Sequence, residues 1–307
     1  MKNFKCIGLM LVFVASLLVS CTSDNVMTSS SQVTNHEVVF SLYEQSISSL
    51  DTRAETSGNK TLAECKLFTE LEVALIPADG KSKTMLVARQ DDSMSTFGKV
   101  KMQIPNGTYH LVIIAANTDK PISSDKRIDI KSATEVTFPN DKVTDMAYCY
   151  KDITISSTDN TKVVECVLKR AVAAVKLLPT DKTPDDLKTF TVKMSGNIGT
   201  KFNPSEGCCT ETCEINRVVD VTKIKYEIKE YNLFVVPGAE DVTDAKLETQ
   251  ALNSNGEVLK ANSFTDVHLV MGKRTTYKGP FYTFANGFSI YMTDGEMGDS
   301  NFGVTFE

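Results

Sequence analysis

Apolar and polar residues alternate one by one in short runs along most of the chain. A period of two is the spacing of a β-strand with one face buried and one face wet. Val100, Met102 and Ile104 alternate with Lys99, Lys101 and Gln103, and Phe190, Val192 and Met194 with Thr189, Thr191 and Lys193. Tyr226 and Ile228 alternate with Lys225, Glu227 and Lys229. Phe288, Ile290 and Met292 repeat the pattern, as do Phe302, Val304 and Phe306. The run Tyr109 to Ala116 is apolar on both faces, which predicts a central strand covered on both sides.

Turn chemistry separates these runs at Pro105-Asn106-Gly107, Ser157-Thr158-Asp159-Asn160, Asn253-Ser254-Asn255-Gly256 and Asp294-Gly295. Asn106-Gly107, set between Ile104 and Tyr109, predicts a hairpin. One helix of one or two turns is expected at Thr183–Lys188, with Thr183 as N-cap, Pro184 at the first helical position and acids in the first turn. About seven strands from Val38 to Ile155, and about as many from Val163 onward, predict an all-β chain of two tandem β-sandwiches. The boundary falls near Ser157–Thr161, giving a first sandwich over 37–158 and a second over 159–307. The long run Val163 to Leu178 fits either.

Composition narrows the function. The 307 residues are 41% hydrophobic and 23% charged, an ordinary globular profile. With 33 basic and 39 acidic residues the net charge is −6, so no nucleic-acid partner is expected, because phosphate binding needs a basic face. Three His and no Trp leave few parts for a metal site. The sequence holds no G-x-S-x-G elbow, H-E-x-x-H, P-loop or G-x-G-x-x-G. His36 lies in a polar N-terminal segment, His110 in the apolar run, and His268 between Val267 and Leu269. Each reads as a packed or edge residue. Carboxylates scatter through turns, as in Asp91-Asp92 and Asp185-Asp186, with no sign of the facing pair of a glycosidase. The expectation is a chain that is not an enzyme, with no catalytic residue, no cofactor and no metal.

The first twenty residues read as an address. Lys2 and Lys5 precede Ile7 to Val19, an apolar run shorter than the ~20 residues that span a bilayer. It ends in Leu18-Val19-Ser20-Cys21, which looks like a bacterial lipobox whose Cys21 thiol receives the lipid. The plainer alternative is a signal peptide cut near Ser20 that leaves a secreted protein. Residues 21–36 form a polar tether whose Ser, Thr and Asn content cannot bury enough apolar area to fold.

Cys6 leaves with the signal, and six cysteines remain beside Cys21: Cys65, Cys149, Cys166, Cys208, Cys209 and Cys213. Outside the cytoplasm disulfides are permitted. Cys208-Cys209-Thr-Glu-Thr-Cys213 lacks zinc-ligand spacing and a nearby His. A loop disulfide from Cys213 to Cys208 or Cys209 is the expectation there, since a direct 208–209 bond is strained. Cys149 and Cys166 read as buried free thiols on neighbouring strands.

The order of features resembles the Bacteroidales fimbrillin family, the lipoprotein-derived subunits of type V pili, and within it the minor, anchor-type subunits. Cys21 is followed by the strand His36 to Leu42, then by Thr52-Arg53-Ala54. A strand Leu71 to Pro77 leads into Ala78-Asp79-Gly80, and Ser95-Thr-Phe-Gly98 precedes Gly107 to Asn117. Leu168-Lys-Arg170-Ala-Val-Ala-Ala-Val-Lys-Leu177 is the best single match; Phe264 to Val267, Lys273 to Gly279 and Phe288 to Phe306 complete it. The resemblance covers essentially the whole mature chain. It implies two transthyretin-like Greek-key β-sandwich domains, attachment to the outer membrane through lipidated Cys21, and partnership with other fimbrial subunits through strand exchange. It also implies that a trypsin-like cut at Arg53-Ala54 removes the first strand in stalk-type subunits and does not occur in anchor-type ones. Phe302, Val304 and Phe306 alternate almost to the last residue, leaving no tail to lend, which points to the anchor. As a plain surface residue, Arg53 needs no such role. The six extra cysteines depart from the family. The alternative function is a surface glycan-binding lipoprotein of a nutrient-uptake system. It needs an exposed aromatic platform, for which no Trp and nine Tyr, mostly within strand patterns, are poor material.

Overall fold

In the computed structural model the alternating runs become strands around two separate apolar cores. The structure describes residues 35–45, 60–80, 84–118, 127–156, 158, 161–223, 230–284, 287–294 and 304–305. The chain is all-β, and its main body is two β-sandwiches, as the alternation predicted.

In the first sandwich, Asn35–Glu44 is the middle strand of one sheet. Lys99–Pro105 pairs with it antiparallel and Thr161–Arg170 pairs with it parallel. The facing sheet runs Met146–Ile155, Gly107–Ala116, Glu70–Pro77, Leu86–Asp91, all antiparallel. Val38, Phe40, Leu42, Val73, Leu111 and Ile113 fill the space between. The second sandwich sets the sheet Tyr231–Pro237, Ala173–Pro179, Lys273–Gly279, Ser289–Asp294 against the sheet Ile215–Asp220, Leu187–Ser195, Asp241–Asn253, Val258–Val270. Its core is aromatic: Phe190 stacks on Tyr231 with centroids 4.3 Å apart, and Phe281 and Tyr282 meet Phe190 edge-on.

A third apolar cluster joins the two. Gly107–Ala116 is buried on both faces, as its sequence predicted: Leu111 and Ile113 enter the first core, while Val112, Ile114 and Ala116 enter the junction. There they meet Phe202 and Val236. A small sheet crosses the same place. Asp129–Ser132 and Glu135–Thr137 lie beside Phe202–Asn203 and Cys208–Cys209, with Val136 opposite Phe202. Residues 34–307 accordingly form one compact unit.

Local expectations were corrected in several places. Pro105-Asn106-Gly107 is not a hairpin: Lys99–Pro105 pairs with Asn35–Glu44, while Gly107–Ala116 pairs in the opposite sheet. The turn carries the chain across the core, with the Tyr109 hydroxyl donating to the Pro105 carbonyl at 3.0 Å. Turn residues alone do not distinguish that arch from a hairpin, because the choice of partner strand is long-range. Asn253 to Gly256 does close a hairpin, with Gly256 at φ +81°. Thr183–Lys188 is a turn rather than a helix: the Leu187 amide donates to the Pro184 carbonyl at 3.1 Å, and Leu187 already opens a strand. The sheet edge and the core position of Leu187 outweigh a marginal helical turn. Thr161–Arg170, which the expected boundary near Ser157–Thr161 places in the second sandwich although its run fits either, belongs to the first, because it pairs parallel with Asn35–Glu44; the changeover lies between Arg170 and Ala173. His36 is not in a tether but buried within the first strand, opposite Ile104. The alternating run around Tyr226 and Ile228 lies outside the described residues, as do Phe302 and Phe306; Val304–Thr305 pairs parallel with Tyr231 and Asn232.

Ile113 is fully buried at the centre of the first core. Ile113→Asp is expected to cost at least about 4 kcal/mol in urea unfolding, since a carboxylate would sit there unpaired. An unchanged midpoint would show that this strand is not central.

Candidate functional site

The first strand is the element on which the sequence placed most of its functional weight. Val38-Val39-Phe40-Ser41-Leu42 has the β-branched and aromatic content that suits a pleated, half-buried surface. Val38, Phe40 and Leu42 point into the core and are 0–1% exposed. On one side Asn35–Ser41 faces Lys99–Pro105, with Val38 opposite Met102 and Phe40 opposite Val100. On the other side Glu37–Glu44 runs parallel to Thr161–Leu168, with Leu42 opposite Cys166.

Two devices hold this arrangement. At one point the Leu42 amide donates to the Gly98 carbonyl at 3.0 Å. Gly98 has φ +84°, and a Cβ there would lie 3.1 Å from the Leu62 Cβ, so a side chain is disfavoured on both counts. Buried Gln90, on the edge strand of the facing sheet, fixes this loop. Its Oε1 accepts from the Gly98 amide at 3.0 Å and its Nε2 donates to the Lys99 carbonyl at 3.0 Å. Sequence reasoning missed Gln90; the one signal was a lone amide in the Leu86–Asp91 strand.

The second device is ionic. Arg170 donates to Glu44 Oε1 from Nη2 at 2.9 Å and from Nε at 3.3 Å, and from Nη1 to Asp145 Oδ1. Its Cζ lies 5.0 Å from the Phe68 ring centroid. Asp145 is buried, which pushes its carboxyl above the usual range, while Arg170 acts in the opposite sense. Arg170 was quoted in the sequence only as part of a motif; its role is visible only once Glu44 and Asp145 are brought to it.

Lys60 pairs with Glu44. Arg53 and Ala54, between Gln45 and Lys60 in sequence, lie outside the described residues, as does Cys21. A cleft of about 420 Å³ opens beside this end of the strand, lined by Gln45, Lys169, Arg170, Glu206, Cys208 and Lys273 among others. Cys208 and Cys209 are neighbours on one short strand and so face opposite sides; Cys209 is buried in the junction. Cys213 Sγ lies 3.9 Å from Thr200 Oγ1. These three thiols, and those of Cys65, Cys149 and Cys166, are unbonded in the structure.

The histidines are not brought together. His110 Nδ1 pairs with Asp152 across the strands at 2.6 Å and lies 3.2 Å from the Tyr150 hydroxyl, while His268 Nε2 pairs with Asp241 at 2.7 Å. Among the described residues no group of three or more His, Cys, Asp or Glu could hold a metal ion. A surface depression of about 510 Å³ on the second sandwich is lined by Thr191, Lys193, Arg217, Glu248, Gln250 and Asn262 with other small or aliphatic residues and no aromatic ring. Phe284 and Tyr291 are the exposed large aromatics among the described residues.

Compared with known proteins, the chain matches over residues 29–303 the model of a family of unknown function, DUF6562. No curated protein matches it. Similar solved structures include the fimbrial anchor protein Mfa2 from Porphyromonas gingivalis, at 12% identity over 85% of this chain and 98% of that one, TM-score 0.43. A fimbrial assembly protein from Parabacteroides distasonis is similar at 11% identity over 85% and 95%, TM-score 0.42. A candidate polysaccharide-binding protein from Bacteroides thetaiotaomicron is similar at 8% identity over 85% and 99%, TM-score 0.49. The first two are Bacteroidales fimbrial proteins, the kind that the sequence motifs resemble.

Removing Arg170 tests the ionic latch. Arg170→Ala leaves Asp145 buried without its partner and is expected to cost about 3–5 kcal/mol. Glu44→Gln keeps the Arg170–Asp145 pair and is expected to cost about 1 kcal/mol. Equal losses in denaturant unfolding would show that Asp145 does not depend on Arg170.

Proposed function

The chain belongs to DUF6562, a family of unknown function, and we propose that it is a non-enzymatic, lipid-anchored surface lipoprotein that serves as a fimbrial subunit, joined to its neighbours by exchange of a β-strand. The observation that carries this reading is the position of Asn35–Glu44. The strand next to the polar tether is not an edge strand but the middle of a sheet, with a partner on each side and the core beneath it. Its removal would leave two unpaired edges and an apolar groove. A row of free N–H and C=O groups accepts an added strand readily.

Magnitude decides how such an exchange proceeds. Burial of Val38, Phe40 and Leu42 contributes about 5–9 kcal/mol in total, before any ladder hydrogen bond is counted. A cut between residues 46 and 59 alone would therefore leave the strand docked. Only a competing strand with the same apolar spacing displaces it. Polymerisation of this kind uses no catalytic group, in keeping with the scattered histidines and carboxylates.

In this reading the subunit is the membrane-bound end of the fibre. Cys21 carries the lipid, Arg53–Ala54 stays uncut, and the first strand, still attached, closes the groove until a neighbour's strand displaces it. Several acyl chains on one cysteine give stable attachment where a single chain binds only marginally. Cys21→Ala is expected to release the protein from the outer-membrane fraction or stall its processing; unchanged fractionation with wild-type mass would rule out the lipobox. Mass spectrometry of protein taken from assembled fibres is expected to find the first strand still attached. A mature chain beginning at Ala54, repeated along the shaft, would make this a polymerising stalk subunit instead.

A further inference from the structure

The core of the first sandwich contains two cysteines that neither the fold nor the proposed role requires. Cys149 lies in Met146–Ile155, opposite Ile113, and Cys166 lies in Thr161–Arg170, opposite Leu42. These strands belong to facing sheets and pair with each other only at their ends, Lys169 with Tyr148 and Arg170 with Ala147. Past that corner they diverge around the core. Ala147 and Cys149 enter it from one strand, and Val164, Cys166 and Leu168 from the other. Cys166 is buried within that core and Cys149 is packed against it, so the two thiols are close enough to act on each other.

We propose that Cys149 and Cys166 form an intramolecular disulfide that staples the two sheets of the first sandwich. Of the other cysteines, Cys65 packs against the same core but its thiol donates to the Leu62 carbonyl at 3.1 Å; Cys208 opens on the cleft, Cys209 lies in the junction and Cys213 meets Thr200. The two thiols also shift each other in opposite directions. The hydrogen bond with Cys166 lowers the Cys149 thiol to about 7 against the effect of burial, with Lys151 and Lys169 acting in the same sense as the bond. The same bond and burial raise Cys166. Either thiol can supply the attacking thiolate as the chain folds, and the step is the same from each.

The oxidant is a small or protein-borne disulfide, and glutathione disulfide serves as the probe. The Cys149 thiolate attacks one sulfur of the oxidant, forming a mixed disulfide and expelling one thiolate. Cys166 then loses its proton to solvent and attacks the Cys149 sulfur. The protein S–S bond forms, the mixed disulfide breaks, and the second thiolate leaves. Two protein thiols lose two electrons and two protons, and the oxidant takes up both electrons. Cys166 is buried in the core and Cys149 is half-buried against it, so the bond forms as the chain folds. The staple has a consequence that rests on the proposed strand exchange: Thr161–Arg170 is one wall of the groove around the first strand, and the disulfide would hold that wall on the facing sheet while the groove is empty. The pairing itself does not depend on that reading.

The test uses the full chain, refolded in a glutathione redox buffer, quenched with N-ethylmaleimide in denaturant and digested without reduction. The expected main product is a linked pair of peptides containing Cys149 and Cys166. Maleimide on both residues, or either one joined to a different cysteine, would overturn the proposal. Reductant is also expected to lower the Tm of the oxidised protein by roughly 5 °C or more, the effect of opening a loop of this length, and to leave Cys149→Ala/Cys166→Ala unmoved. A wild-type Tm indifferent to reductant would count against it equally. Fibre formation is not read in either experiment, so failure here is separable from failure of the fimbrial reading.

Discussion

The fold depends most on where Arg170 can find its counter-charges. Asp145 is buried with its Oδ1 on the Arg170 guanidinium, and Glu44 completes the cluster. A carboxylate at that depth is tolerated only with a partner, because the desolvation cost of leaving it alone is several kcal/mol. That requirement places three pieces of chain together: the end of the first strand, the start of Met146–Ile155 and the last residue of Thr161–Arg170. It also places the start of the second sandwich. The Ala171 amide donates to the Met146 carbonyl at 3.0 Å, and the Gly272 amide donates to the Val172 carbonyl at 2.9 Å.

The segment Leu168 to Val175 explains itself on this basis. Leu168 ends in the first core, Ala171, Val172 and Ala174 in the junction, and Ala173 and Val175 in the second core. Three clusters meet within eight residues, so most side chains between the two anchors must be small. The run of alanines that made this stretch the best single match in the sequence is thus a packing constraint, with the charge of Arg170 at its hinge.

What the sequence revealed and what it hid follow from range. The faces of Lys99–Pro105 and Leu187–Ser195 were legible because burial on a strand depends on residue parity alone. The double burial of Gly107–Ala116 was legible because no polar residue interrupts its central run. The partner of each strand was not legible. Asn106-Gly107 has hairpin chemistry, yet the chain crosses to the other sheet because Asn35–Glu44 offers Lys99–Pro105 a better edge. The assignment of Thr161–Arg170 was hidden for the same reason, since its parallel neighbour lies more than a hundred residues earlier in the chain. At the candidate site, the apolar pattern of the first strand could be read, whereas Gln90, Glu44 and Asp145 carried no local signal. A lone amide or carboxylate acquires its role only from the groups that the fold brings to it. The cysteines divide in the same way: neighbouring strands for Cys149 and Cys166 could be read from spacing, but not that the two thiols meet.

In the proposed strand exchange, the position of the first strand determines what a substitute for it would have to be. Parity is strict in a sheet with one buried face, because a slip of one residue turns every side chain to the wrong side. A replacing strand must therefore present large apolar groups at three alternate positions, those of Val38, Phe40 and Leu42. It must also run parallel to Thr161–Arg170 and antiparallel to Lys99–Pro105, since the groove walls are oriented by their own connections. At the far end it meets Arg170, whose guanidinium is left with one carboxylate when Glu44 departs. A donor with an acid two residues beyond its last core residue restores the pair; a donor with a base there meets like charge. Shape and spacing would admit many β-strands to such a groove, and in the proposed exchange the buried Arg170 would distinguish among them.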